Sequence, residues 1–261
     1  MSDLPTSRAF YQTIARYYDA ENEQMTADLP LYSELAAEHG TPILDVGCGS
    51  GRVGLHLAGE GYAVTGIDIS PAMLERGRRR VQGRVDLREH MTFIEGDATT
   101  YDFPDRYPLI LLSYNGLMHF RNPADQRRLL KHLGAFLAPD GMLVLDLPNA
   151  GDSFAGTDDG SAILERSFHE PESGHLVMQQ SVSRLDRVEQ VQHITWIYDE
   201  ITADGTLRRT VAPQALRYVF PTELDLLLEV CGLARTERFG DYDLSPFEDG
   251  CERMIVLAKR A

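Results

Sequence analysis

No apolar run in this chain approaches the ~20 residues a helix needs to cross a bilayer, so a membrane-spanning helix is not expected. Cysteine is scarce. Cys48, Cys231 and Cys251 form an odd set without a CxxC pair, which supports neither a disulfide framework nor a thiolate metal site; reduced, mostly buried thiols are expected. The histidines other than His119 show no HxxxH or HxH spacing, so no catalytic metal is expected. Positive charge is also short: 25 Lys and Arg stand against 40 Asp and Glu, a net charge of −15. A field of that sign repels phosphate backbones, and nucleic acid is not an expected partner. The one basic cluster, Arg76-Gly77-Arg78-Arg79-Arg80, falls at an expected helix end, where cations suit the helix dipole; it reads as a solvated helix face. Met1-Ser2-Asp3-Leu4-Pro5 has neither the basic start nor the apolar stretch of a secretory leader, so the expected location is the cytoplasm. What is present, 43% hydrophobic and 25% charged residues over 261 positions, suits one large α/β domain or one domain with an insertion.

Residues 6–38 read as one or two helices. Pro42 to Val46 is a short buried strand that runs into a glycine-rich turn and then a helix through Val53, Leu55 and Leu57. Ala63–Asp68 is the next strand, and Ser70-Pro71 opens a helix with Ser as cap and Pro at the first helical position. Met91–Glu95 and Leu109–Ser113 follow as strands, then a helix from about Ala124 to Leu137. Pro139-Asp140-Gly141 is expected to turn into a fifth strand, Met142–Leu147. Strand and helix alternate as in a parallel sheet covered on both faces. From about 164 to 220 the rhythm changes to an antiparallel meander, with strands Leu176–Leu185, Glu189–Ile201 and Leu207–Phe220. A helix from Pro221 and two strands, Leu233–Phe239 and Arg253–Lys259, finish the chain. The link Ser245–Gly250 is too short for a crossover, so these two strands should pair antiparallel. The expected units are residues 1–40 as a helical lid, 41–160 with 221–261 as the ligand-binding domain, and 161–220 as an insertion.

The chemistry concentrates in Ile43-Leu44-Asp45-Val46-Gly47-Cys48-Gly49-Ser50-Gly51-Arg52. Glycines after a buried strand let a ligand lie against bare backbone, and the helix N-terminus behind them suits a carboxylate. Asp68, at the end of the second strand, faces the same crevice and can accept hydrogen bonds from the two hydroxyls of a ribose. A nucleoside-containing cofactor follows. Gly49-x-Gly51-x-x-Gly54 also matches the dinucleotide fingerprint, so the glycine pattern alone leaves a nicotinamide-linked oxidoreductase open. Three features turn the balance: Gly47 directly after a strand that carries Asp45; Gly96-Asp97-Ala98 after the third strand, whose Asp can accept from an adenine amino group; and the antiparallel terminal strand. Asp45 is expected to fix the loop by accepting from its backbone N–H groups, and Cys48 to pack.

With those motifs the sequence resembles the class I S-adenosylmethionine-dependent methyltransferases, over about 42–148 and the last forty residues. The resemblance implies a Rossmann-like, doubly wound, mostly parallel seven-stranded sheet with an antiparallel C-terminal strand, plus the antiparallel β insertion. It implies that Gly47, Gly49 and Gly51 wrap the methionine part of S-adenosylmethionine (product S-adenosylhomocysteine), with Arg52 near its carboxylate. Asp68 would hold the ribose, and Ile69, Met73, Asp97 and Ala98 the adenine. Tyr11 and Tyr18, on a helix before the sheet, would close over the cofactor; aromatic core packing is the competing role.

Methyl transfer is an in-line displacement that requires alignment and, for a protonated acceptor, removal of a proton. Ser113-Tyr114-Asn115-Gly116-Leu117-Met118-His119 should lie beside the reacting atoms. His119 is read as general base or as a residue that orients the acceptor, because an imidazole titrates near neutrality; packing is the alternative. Tyr114 is read as pocket wall or donor, Asn115 as a contact to a polar acceptor, Ser113 as a cofactor contact. The segment lacks the Asn-Pro-Pro-Tyr pattern associated with methylation of bases and glutamine. The meander is expected to roof the acceptor pocket or make a dimer contact, with Trp196, Tyr198, Tyr218 and Phe220 as packed or pocket-lining aromatics. Arg208, Arg209 and Arg217 are read as solvated edge charges or contacts to an acidic acceptor. The expected activity is methyl transfer to N or O of a small molecule by a monomer or homodimer. A noncatalytic S-adenosylmethionine-binding or oligomer-forming protein is the alternative from another class.

Overall fold

The computed structural model describes residues 6–22, 24–151 and 160–261. Met1–Pro5, and the stretch 152–159 that ends the expected 41–160 segment, lie outside the described residues. The chain runs α1 (Ser7–Glu21), α2 (Leu29–His39), β1 (Ile43–Val46), α3 (Arg52–Gly59), β2 (Val64–Asp68), α4 (Pro71–Arg80), α5 (Val85–Arg88), β3 (Met91–Glu95), β4 (Tyr107–Leu112), a 3₁₀ turn (Gly116–His119), α6 (Pro123–Phe136) and β5 (Leu137–Pro148). There follow β6 (Ala162–His169), β7 (Leu176–Asp186), β8 (Val191–Ile201), β9 (Leu207–Arg217), α7 (Pro221–Val230), β10 (Leu233–Phe239) and β11 (Arg253–Arg260).

The large sheet has seven strands in the order β10-β11-β5-β4-β1-β2-β3. β1 is paired in parallel with β2 on one side and β4 on the other, so the direction of winding reverses at its carboxyl end. β11 runs antiparallel to both β5 and β10, as the short 245–250 link predicts. The meander forms a separate four-stranded antiparallel sheet, β6-β7-β8-β9, whose first strand the sequence did not single out. One strand boundary differs clearly. β5 starts at Leu137, and Pro139-Asp140-Gly141 is an irregularity inside it, between the Tyr107–Leu137 and Leu109–Met142 pairs. A Cβ at Gly141 would sit 2.7 Å from the Tyr107 carbonyl oxygen, so a turn-forming residue also allows close strand approach.

The two N-terminal helices pack on different layers. Leu31, Tyr32, Leu35 and Ala36 of α2 join Ile43, Val53 and Leu57 in the core beneath one sheet face. Phe10, Ile14 and Tyr17 of α1 instead form a core with Val177, Tyr198 and Ala212 of the meander. There Tyr17 and Tyr198 stack at 4.7 Å between centroids and 10° between planes, a contact of roughly 0.5–1.5 kcal/mol beyond the area it buries. Trp196 packs against that core, and Ile194, on the same face of β8, is buried. α1 is further pinned by Asp19, which accepts from Ser50 Oγ (2.5 Å) and Arg76 Nε (2.7 Å). The basic run of α4 is therefore only partly the solvated face expected. Arg79 pairs with Glu75 at the surface, whereas Arg76 is turned inward and Arg80 donates to the Ser50 carbonyl. No described helix is long and apolar enough to cross a membrane.

Candidate active site

At the carboxyl ends of β1, β2 and β4 lies a cavity of about 430 Å³, roofed by α1 and by Gln214 and Ala215 of β9. Tyr11, Tyr18, Gly47, Gly49, Arg52, Asp68, Ile69, Met73, Asp97, Ala98, Ser113, Tyr114 and His119 all border it. Residues picked from separate stretches of sequence thus converge on one space.

The glycine loop is built by positive φ and by backbone capture. Gly47 and Gly49 have φ of 72° and 57°, and the N–H groups of Gly47 and Cys48 both donate to the Ile67 carbonyl (2.8 and 3.1 Å). A Cβ at Gly49 would stand 3.3 Å from the Met73 methyl. Gly51 departs from expectation: it does not border the cavity. It is the left-handed cap of α3 (φ 83°), where a Cβ would meet the Phe93 ring at 2.9 Å. There it starts the helix.

Asp45 also departs from expectation. It is 1% exposed, and its carboxylate makes no close hydrogen bond among the described residues; the Gly54 N–H, at the start of α3, is the backbone group near enough to favour its charged form. The loop N–H groups it was to bind are taken by Ile67. Burial pushes its carboxyl up to about 7, against the pull of the Arg52 guanidinium. Arg52 itself is committed elsewhere: it donates to both oxygens of the buried Asp28 (2.6 and 2.5 Å) and to the Met25 carbonyl (2.9 Å). A free guanidinium for a cofactor carboxylate is therefore not what the fold presents, although the side chain still borders the cavity.

One strand over, Asp68 accepts from the Gly49 N–H (2.8 Å) on one oxygen and the Ser70 N–H (2.7 Å) on the other. A carboxylate has about four acceptor sites, so capacity remains for a ligand. Beside it Ile69 is 40% exposed, a bare apolar surface against the cavity. Met73 and Ala98 are buried behind it, and Asp97 uses one oxygen to accept from the Thr99 N–H (2.8 Å).

After β4 the backbone is forced: Tyr114 and Asn115 have φ of 38° and 66°, the left-handed region that β-carbon-bearing residues avoid. Asp146, on β5 and wholly buried, accepts from the Tyr114 N–H (3.0 Å), while its carbonyl accepts from the Asn115 N–H (2.8 Å). Asn115 does not border the cavity. Its Oδ1 accepts from Arg253 (3.1 Å), so the expected acceptor contact is replaced by a structural one.

His119 is held at both nitrogens by α1, with Ser7 Oγ 3.3 Å from Nδ1 and Tyr11 Oη 3.1 Å from Nε2. Burial pushes its imidazole down to about 4. The reason for reading it as a base near neutrality is thereby removed: the ring is neutral there, with its donor and its acceptor both engaged. The meander arginines correct another expectation. Arg209 is paired with Asp199, and Arg217 is buried among Gln126, Gln190 and Glu223, so neither offers a free cation to an acidic acceptor. Tyr198 is wholly packed against α1, and Tyr218 is buried with its hydroxyl on Gln192 (2.7 Å).

Residues 43–141 match the family model of a methyltransferase domain. The carboxy-S-adenosyl-L-methionine synthase of Chromohalobacter salexigens is 32% identical over 126 residues, 47% of this chain and 45% of that protein. The chain spans about half the length of several curated relatives it matches. Among solved structures, the CcbJ methyltransferase of Streptomyces caelestis superposes with a TM-score of 0.81 at 23% identity, over 97% of this chain and 98% of that one. An amino pentose methyltransferase of Micromonospora echinaspora involved in calicheamicin biosynthesis gives 0.68 at 21% identity, over 92% and 94%. Residues 43–141 thus resemble a methyltransferase domain, and the fold of the whole chain is shared with solved methyltransferases.

Proposed function

We propose that this protein is an S-adenosylmethionine-dependent methyltransferase that methylates an N or O atom of a small molecule. One observation carries the reading: a single cavity joins a buried carboxylate, Asp45, which no cation pairs directly, to bare glycine backbone and, one strand over, to Asp68 beside an exposed Ile69. Asp45 suits the ammonium of an amino-acid tail, which would supply a paired counter-charge. Asp68 suits ribose hydroxyls, Ile69 the adenine face, and the free oxygen of Asp97 its amino group. When bound, S-adenosylmethionine supplies an electrophilic methyl group on a positively charged sulfur.

The chain's own part is alignment and exclusion of water. Tyr11, Tyr18 and Tyr114 wall the cavity, and Ser113 lies at the end of β4 where cofactor and acceptor meet. His119 is a poor match for taking a proton near neutrality. We assign it the second role considered from sequence: it orients the acceptor, its ring fixed in place by the Tyr11 hydroxyl. The meander serves as roof, because Gln214 and Ala215 border the cavity. An amine is the favoured acceptor, since the fold is shared with an amino pentose methyltransferase.

Calorimetry of the full chain with S-adenosylhomocysteine tests the cofactor reading, and absence of affinity overturns it. Transfer of a labelled methyl group from S-adenosylmethionine to pooled amines and alcohols tests the activity. Binding without any transfer supports the noncatalytic alternative.

A further inference from the structure

Gln214 borders the cavity, is 9% exposed, and lies on a strand of the insertion rather than on the sheet that carries the glycine loop. In the β8–β9 register Trp196 faces Ala212, so Gln214, two residues on, is its diagonal neighbour on the same face. Trp196 Nε1 lies 2.9 Å from Gln214 Oε1. An indole N–H can only donate, so it fixes which way the amide points: the oxygen turns to Trp196, and the NH₂ group is left on the other side. That nitrogen has no hydrogen-bond partner among the described residues. Trp196 is itself held in the core formed with α1, so the orienting group is anchored.

We propose that Gln214 is a specificity-determining residue, donating from its oriented amide N–H to an oxygen of the methyl acceptor. The acceptor class is then an amine that carries a nearby hydroxyl, carbonyl or ether oxygen, as an amino alcohol or amino sugar does, rather than a plain alkylamine. The physical basis is the asymmetry of buried hydrogen bonds. A donor that faces the cavity gains a partner from the oxygen-bearing acceptor, and is cut off from both water and any partner when the analogue that lacks the oxygen fills the space. This inference rests on the methyltransferase reading, because it takes the cavity to hold an acceptor.

The test uses the full chain, ¹⁵N-labelled and saturated with S-adenosylhomocysteine, with 2-aminocyclohexanol and cyclohexylamine as probes. The Gln214 side-chain NH₂ signals are assigned by their loss in Gln214→Glu. In that variant a carboxylate oxygen still accepts from Trp196, but both donors are gone. The expected result is that these signals move on titration with the amino alcohol and stay put with cyclohexylamine. The two dissociation constants should differ by about tenfold, and the ratio should fall to about one in Gln214→Glu. Trp196→Phe, which frees the amide to flip, should reduce the ratio while S-adenosylhomocysteine affinity is kept. Signals that stay still with the amino alcohol at its solubility limit, or a preference that survives in Gln214→Glu, overturn the inference. Failure of S-adenosylhomocysteine to bind, read separately by calorimetry, overturns the functional reading instead.

Discussion

Tyr11 Oη lies 3.1 Å from His119 Nε2, and this contact ties the first turns of α1 to the 3₁₀ turn after β4 across the mouth of the cavity. Because burial pushes the imidazole from its ordinary 6.5 down to about 4, the contact joins two neutral groups at any working pH. Turnover should therefore show no inflection from His119 between pH 6 and 8. Stability behaves differently. Between about 4 and 6.5 the unfolded chain binds a proton at His119 that the folded chain refuses, so stability falls as the pH drops through that window. The slope from this group is at most about 1.4 kcal/mol per pH unit, and His119→Gln should remove it. Urea unfolding at several pH values checks the slope. A turnover profile with a limb near 6.5 that His119→Gln abolishes would restore the general-base role.

Asp68→Ala should weaken S-adenosylhomocysteine binding ten- to a hundredfold, as expected for loss of hydrogen bonds to a charged group worth about 1.5–3 kcal/mol. Part of that loss is indirect, because the N–H groups of Gly49 and Ser70 lose their acceptor and the glycine loop loosens. Asp68→Asn keeps one acceptor oxygen and should fall between the two. Calorimetric affinity for Asp68→Ala equal to that of the wild type contradicts the ribose assignment.

How much of this was legible in the sequence follows from the range of the interactions. The glycine loop, Asp68, Ile69 and Asp97 are strand-end features, each set by a few contiguous residues and by the alternation of strand and helix. The fold class was legible for the same reason. Asp45 was only partly legible because Ile67, twenty-odd residues on, captures the N–H groups of Gly47 and Cys48. Arg52 was misread because its partner Asp28 sits at the start of another helix. Asp146 and Gln214 were missed altogether. One gathers partners from α2, the β4 loop and the β11 end of the sheet, and the other depends on the register of two insertion strands. A buried polar residue in an apolar strand such as Met142–Leu147 was the only local sign of Asp146.

Affinity for the cofactor product should depend on pH through Asp45. Its carboxyl, pushed up to about 7 by burial, is mostly protonated at pH 6 and must lose that proton to pair with an ammonium. Binding should therefore release a proton near neutrality and tighten by about tenfold from pH 6 to pH 8. In the ligand-free protein the same shift has the opposite sign to that of His119. The unfolded carboxyl ionises at its ordinary 3.8, so stability from this group falls as the pH rises from there towards about 7. Asp45→Asn should flatten the affinity profile and weaken binding at pH 8. Calorimetry in buffers of different ionisation enthalpy measures the released proton directly, and a proton count of zero in the wild type contradicts the assigned pairing.

Asp146 is the residue whose loss should be felt most widely. Its buried carboxylate accepts from Tyr32 Oη (3.1 Å), Tyr242 Oη (3.2 Å), the Tyr114 N–H (3.0 Å) and Arg253 Nε (3.0 Å). The Arg253 guanidinium in turn lies over the rings of Tyr114 and Tyr242, at 5.6 and 5.7 Å from their centroids. Removing the carboxylate alone leaves a largely buried cation unpaired, which typically destabilises by about 3–5 kcal/mol. It also releases the backbone at Tyr114 and Asn115, whose positive φ is held by contacts to the same residue. Asp146→Ala should therefore lower the unfolding free energy by several kcal/mol, while Asp146→Asn, which keeps an acceptor, should cost less. Where the variants remain folded, the damage should fall on turnover more than on S-adenosylhomocysteine affinity, because Tyr114 walls the cavity while Asp45 and Asp68 lie on other strands. Denaturant unfolding and calorimetry on the two variants separate these effects. Equal losses of affinity and turnover would mean that Asp146 supports the whole crevice rather than the loop after β4.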